Sequence, residues 1–426
     1  MADAARDLLA YIHASPTPWH AVTETTRRLE AAGYRELHER DAWDLGPGDK
    51  VYVVRGGSSV LAFELGRKPA SEAGFRLVGA HTDSPNLRLK PNPHADGNGM
   101  RRLAVETYGG VLLHTWLDRD LSVAGRVVCR DGGAMTSRLV RFDAPLARVT
   151  SLAIHLQRGV NEKGLILNKQ DHMAPLYSLD ASANVVERVA SKLGVNAQDI
   201  VSHDLCLYDT LAPSLGGADD EMVFAPRLDN LASCHAGLEA LLSCEGPSDA
   251  TRGVVFYDHE EVGSRSAQGA DSPFLPDVLR RLARVGDAGA EAMPRAFARS
   301  FMISADMAHA LHPNYANVHE PAHQPRLNHG PVIKSNANQR YATDGESSAR
   351  FLEWARAADV PTQSFVTRSD LGCGSTIGPI SAGRLGLRTI DVGNPMLSMH
   401  SCREMSGAQD VGMMLAVMRV FFERLD

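Results

Sequence analysis

Paired cysteines, basic runs and long apolar stretches are what this sequence lacks, and each absence narrows its chemistry. Its six cysteines, Cys129, Cys206, Cys234, Cys244, Cys373 and Cys402, are scattered without a Cys-x-x-Cys pair. That argues against a disulfide framework and a thiolate metal site, and fits a reducing compartment. Any metal site must then be built from imidazole and carboxylate. The net charge is -7 and no segment carries a dominant basic stripe, which argues against a nucleic-acid partner. No stretch approaches the roughly 20 apolar residues of a membrane helix. Asp3 and Arg6, followed by only a short apolar run, argue against a secretory signal. A cytoplasmic protein with no membrane or nucleic-acid partner is expected.

What is present is enough for two cores: 426 residues, 44% of them hydrophobic, exceed what one core usually serves. Helices are expected over 4–13 and 19–32, and strands over 51–54, 60–65 and 76–80. From about residue 92 to 210 short strands dominate, at 110–116, 125–129, 139–142 and 152–156, with Asp131-Gly132-Gly133 as a hairpin turn. A helix is expected only at 184–193. After Asp220 strands and helices alternate again, ending in a helix over 409–422. The expected fold is α/β: a mixed, largely parallel sheet sandwiched by helices. Residues 1–91 and 211–426 form its two parts, and residues 92–210 are a β-rich insertion.

Five places set metal-type side chains just after a buried strand or before a helix: His81-x-Asp83, Asp229, Glu260-Glu261, Asp306 and His400. Ligand sites of open α/β sheets lie beyond the carboxyl ends of the strands, so distant segments can converge there. Two histidines and three carboxylates (His81, Asp229, Glu261, Asp306, His400) exceed the three or so ligands of one catalytic zinc. Two ions sharing one carboxylate fit better, and such a pair polarises a scissile carbonyl and activates water. Glu260 beside Glu261 suits a division of labour, one binding metal and the other moving a proton. Asp83 is placed to accept the second N–H of His81. Singly, each has a plain structural alternative: Asp229 a helix N-cap, His400 a core histidine, the Glu pair a solvated surface. Against the last stands the apolar run Val254-Val255-Phe256-Tyr257 before the pair, which sets charge near a buried edge.

These residues sit in long motifs: Gly79-Ala80-His81-Thr82-Asp83-Ser84-Pro85, Asp258-His259-Glu260-Glu261-Val262-Gly263-Ser264 and Ser304-Ala305-Asp306-Met307-Ala308-His309-Ala310. With Gly330-Pro331-Val332-Ile333-Lys334 and Met399-His400-Ser401-Cys402-Arg403-Glu404, the chain resembles the aspartyl aminopeptidase family of di-zinc enzymes over nearly its whole length. The resemblance implies two zinc ions, with Asp229 bridging, His81 and Asp306 on one ion, Glu261 and His400 on the other, and Glu260 as acid/base. It implies peptide substrates with an amino-terminal aspartate or glutamate, with His309 and Lys334 as substrate-binding candidates and Tyr341 close by. It also implies a homo-oligomer, a dodecamer built from dimers through the β-rich insertion, in which His155 reaches a neighbour's active site. From the residues alone, His155 reads as an interior strand histidine.

Manganese or cobalt would also suit mixed imidazole and carboxylate ligands. Two other readings remain at this level: a di-metal carboxypeptidase or amidohydrolase, and a non-catalytic shell-forming peptide-binding protein. Gly372-Cys373-Gly374 with Gly378 imitates a dinucleotide fingerprint but opens no clear helix, and is taken as an active-site loop.

Overall fold

The strands Phe75–His81, Thr251–Tyr257 and Phe301–Ala305 are buried at every residue, as strands covered on both faces must be. The computed structural model, which describes residues 2–424, sets them side by side in a nine-stranded sheet. In spatial order its strands begin at residues 35, 50, 59, 251, 75, 301, 388, 332 and 363. Phe75–His81 runs parallel to both Thr251–Tyr257 and Phe301–Ala305, and the latter runs parallel to Arg388–Gly393. Tyr257 stands opposite His81 and Ser304 opposite Gly79, so three strands end together and their following residues meet at one edge.

Alternation divides each strand between two cores. Val78, Ala80, Val254, Phe256 and Ile303 pack with helices Ala2–Ala14, Leu228–Leu242 and Ala408–Glu423. Leu77, Val255, Tyr257 and Met302 pack on the other face with Phe274–Leu282 and Ile377–Leu385. The Val, Leu, Ile, Phe and Met side chains among them each contribute about 1.5–3 kcal/mol by leaving water. The expected mixed, largely parallel sheet between helices is therefore present. A five-stranded sheet in the same unit joins Ser214–Gly216, Met222–Ala225, Glu404–Gly407, Pro395–Leu397 and Ala308–His309.

The chain clusters into two units. One takes residues up to Asp83, Pro213–Met399 and the chain from Glu404 on; the other takes Ser84–Ala212 with His400–Arg403. The second unit is a six-stranded antiparallel sheet around Leu87, Leu103, Val123, Val127, Leu205 and Leu207. Gly132 and Gly133, both at positive φ (54° and 89°), close the hairpin between Leu121–Asp131 and Ala134–Arg141, as a two-residue turn of that hand requires.

Three sequence expectations fail within this unit. Residues 113–116 and 154–156 form 3-10 turns, not strands. The strand Asn86–Asp96 contains Pro91 and Pro93; the register to its partner shifts between Leu89 and His94, where those prolines need no ladder bond. The expected boundary at 91/92 thus falls inside a strand. Among the described residues no helix is long and apolar enough to cross a membrane.

Candidate metal centre

His81 is the last residue of its strand and 1% exposed. Its Nδ1 lies 3.0 Å from the backbone oxygen of Asp83; a carbonyl only accepts, so Nδ1 carries a proton and Nε2 is the nitrogen left to serve a metal. That nitrogen faces Asp229 Oδ1 at 3.4 Å, Asp306 Oδ1 at 3.6 Å and Glu260 Oε2 at 3.9 Å. Burial alone would lower the pKa of this imidazole, but Asp229, Asp306 and Asp83 outweigh it and hold it above the ordinary value.

Asp83 stands at the second ring nitrogen of His81, where it is expected, and has a further part besides. The tautomer of His81 is set by its backbone oxygen, with the carboxylate 3.4 Å away. The fully buried carboxylate accepts the backbone N–H groups of Glu260 and Glu261, each at 3.1 Å. One side chain thereby fixes the turn that carries both glutamates.

Asp229 is not a helix cap. The N-cap position of Leu228–Leu242 is Arg227, and Asp229 has a non-helical backbone (φ -81°, ψ 102°) where the helix is interrupted. Its N–H donates to Glu404 Oε2 at 3.1 Å, and the next side chain, Asn230, donates to Ala305 O at 2.9 Å. Glu404 is 2% exposed and was not singled out in the sequence. Its signal is weak: an acid four residues after His400 at the end of a recognisable motif.

Burial, the largest influence, pushes the Glu260 carboxyl up to about 8, with Asp306, Asp83 and Asp229 adding and His81 opposing. Burial, followed by the charge of Asp229, also holds the Glu261 carboxyl well above its ordinary value. Asp306 follows its strand, and its Oδ1 is buried without a hydrogen-bond donor in reach. Carboxylates crowded together in a buried place are costly unless a cation gathers them. The donors fit one: His81, Asp229 and Asp306 offer ligand atoms within 4.8 Å of one another, as do His81, Glu260 and Glu261, and Asp229 and Glu261. Hard oxygen with borderline imidazole nitrogen suits zinc and its neighbours.

His400 belongs to the antiparallel unit by its contacts. Its Nδ1 lies 3.0 Å from Gly110 O, so it too has Nε2 as its basic nitrogen. Lys334 is no surface residue: at 2% exposure, its Nζ lies 3.1 Å from Met307 O, 3.5 Å from Asp306 Oδ2 and 5.1 Å from the Tyr341 ring centre. Tyr341 and the exposed His309 line a cavity of about 310 Å³ with His312, His319, Phe365 and Arg368. Gly372 and Gly374 line it too, and the helix Ile377–Leu385 does follow them, capped by Thr376. His155 lies on an exposed turn, not inside a strand, with Leu152, Ile154 and Leu156 exposed around it.

Known proteins resemble this chain in sequence and fold. The family model described as "Aminopeptidase I zinc metalloprotease (M18)" matches residues 11–422. A Pseudomonas aeruginosa protein named "Probable M18 family aminopeptidase 2" is 50% identical over 422 residues, 97% of each chain. Yeast aminopeptidase 1 superposes with a TM-score of 0.89 at 30% identity, covering 100% of this chain and 97% of that one. A structure of the S. cerevisiae mApe1 dodecamer gives 0.86 at 31% identity, with the same coverage.

Proposed function

Because the chain belongs to the M18 family of zinc aminopeptidases, hydrolases of the peptide bond, we propose that it removes amino-terminal aspartate or glutamate from peptides, using two zinc ions. The observation that carries this reading is the convergence of Asp229, Asp306 and Glu260 on the buried Nε2 of His81. On the family resemblance, His81 and Asp306 would hold one ion and Glu261 and His400 the other, with Asp229 shared.

Bound zinc supplies Lewis acidity and a water acidic enough to deprotonate near neutral pH. The rest is work for side chains. Glu260, set beside His81 and held through its backbone N–H by Asp83, takes a proton from the attacking water at Oε2 and returns it to the leaving amine. Asp83 keeps both glutamates in place through their backbone N–H groups. Lys334 restrains Asp306 and adds positive charge behind Tyr341. Arg368 and three histidines, against the single carboxylate of Glu320, line the adjoining cavity and favour an acidic side chain through charge-assisted contacts worth about 1.5–3 kcal/mol.

The chain assembles, on this reading, as a dodecamer built from dimers in the cytoplasm, where its six free cysteines stay reduced. The antiparallel unit makes the dimer contact and carries His155 to the neighbouring site; Leu156 and Ile166, 74% and 84% exposed, are the apolar surface such a contact would cover.

Peptides led by Asp, Glu or Ala, assayed with the wild type and Glu260→Gln, test the reading. The acidic peptides are expected to be favoured roughly ten- to hundredfold. Glu260→Gln is expected to keep its zinc and lose about 10²–10⁴ in turnover. Equal rates on all peptides would remove the acidic preference, and undiminished turnover in the variant would remove the role of Glu260.

A further inference from the structure

The opposite edge of the central sheet holds a second charged site. Arg76 and Arg388 each pair in register with Phe301, from either side. Registered neighbours point to one face and adjacent strands lie about 4.8 Å apart, so two arginines stand about 10 Å from each other over one ring. Lys68, Arg299 and Arg350 join them around a cavity of about 320 Å³, whose acidic lining is only Glu72 and Asp249.

Two of the acids nearby are already committed. Asp249 is held by Lys68 at 2.9 Å and by Arg67 at 2.6 Å. Glu346, outside the lining, is shared by Arg388 at 2.9 Å and Arg350 at 3.4 Å. Arg299 donates from Nε to the backbone oxygen of Ser71, and the Nε of Arg350 is buried with no acceptor. Five cations drawn from five separate segments thus share Asp249 and Glu346 between three of them, and Arg76 donates to the Arg299 backbone oxygen at 3.2 Å; the excess of positive charge favours an anion among them. Guanidinium groups are the side chains best shaped for a tetrahedral oxyanion.

We infer that this pocket binds a phosphate group, free or as the ester of a small organic molecule, held by Arg76, Arg299, Arg350 and Arg388. The cavity equals roughly ten waters at ~30 Å³ each, room for more than the phosphate, and Trp354 and Phe301 supply apolar lining for the remainder. The strand Phe75–His81 runs from this pocket to the metal centre, a span of about 20 Å at ~3.3 Å per residue. The two sites therefore do not overlap.

Thermal unfolding of the intact protein, titrated at constant ionic strength with inorganic phosphate or glucose 6-phosphate, tests the assignment. A saturable rise in Tm is expected for at least one of them. Equal half-saturation would identify free phosphate as the source, and tighter binding of the ester would identify an organic phosphate. The double variant Arg299→Ala/Arg350→Ala is expected to raise half-saturation at least tenfold, while its peptidase turnover without phosphate stays within twofold of wild type, which shows that it is folded. No saturable response to either probe, or an unchanged half-saturation in the variant, would overturn the inference.

Discussion

The two ends of the strand Phe75–His81 make opposite demands on their surroundings. At the carboxyl end, His81 meets Asp229, Asp306 and Glu260 in a buried cluster dominated by negative charge. At the amino end, Arg76 stands with four more cations around a half-open cavity. A third cluster shows what self-sufficiency looks like. Arg28 bonds Asp7 at 2.6 Å and Glu239 at 2.8 Å, and His235 Nε2 lies 2.6 Å from Asp7. There both signs are in contact and nothing from outside is required. Where a fold gathers one sign, the balance comes from a ligand, and the two sheet edges differ in which sign they await.

The largest effect that would break this contrast is the one already set for Glu260→Gln, since it removes a proton carrier and leaves the ligand set intact. Next comes Asp83→Asn. An amide accepts only one of the two N–H groups that the carboxylate now takes from Glu260 and Glu261. Zinc affinity, measured by competition with a chelator, should fall about 10–100-fold; an unchanged affinity would mean the turn holds itself.

The smallest effect belongs to the self-paired cluster. The hydrogen bond from His235 is the main influence on the Asp7 carboxyl; burial opposes it, Arg28 adds to it, and the pKa settles well below the ordinary 3.8. A depressed carboxyl contributes stability above its unfolded pKa and loses it as pH falls through the folded one. Asp7→Asn should therefore cost about 1 kcal/mol at pH 7, because Asp7 is 44% exposed and solvent screens the pair. The gap in Tm should narrow as pH drops below 3.8. A gap that widens on acidification would contradict the assignment.

The carboxyl edge was legible in the sequence because apolar strands stop abruptly at His81, Asp258 and Asp306, and a charge after such a run is conspicuous. Asp229 was less so, since an acid before a helix looks like a cap until its backbone is seen. The second role of Asp83 and the part of Glu404 were hidden, because both act on backbone N–H groups brought to them only by tertiary structure. The basic edge was invisible: Arg76, Arg299, Arg350 and Arg388 share no motif, and only strand register and helix packing gather them. In the antiparallel unit, Pro91 and Pro93 masked a strand that tolerates them at a bulge.

The central claim, that the acid-rich edge is balanced by a pair of cations, is tested most directly by counting metal per chain in active protein while a chelator removes it stepwise. Two zinc ions per chain are expected at full activity, with turnover falling to background as they leave. Full activity with one ion or fewer, or turnover that survives complete chelation, would contradict it.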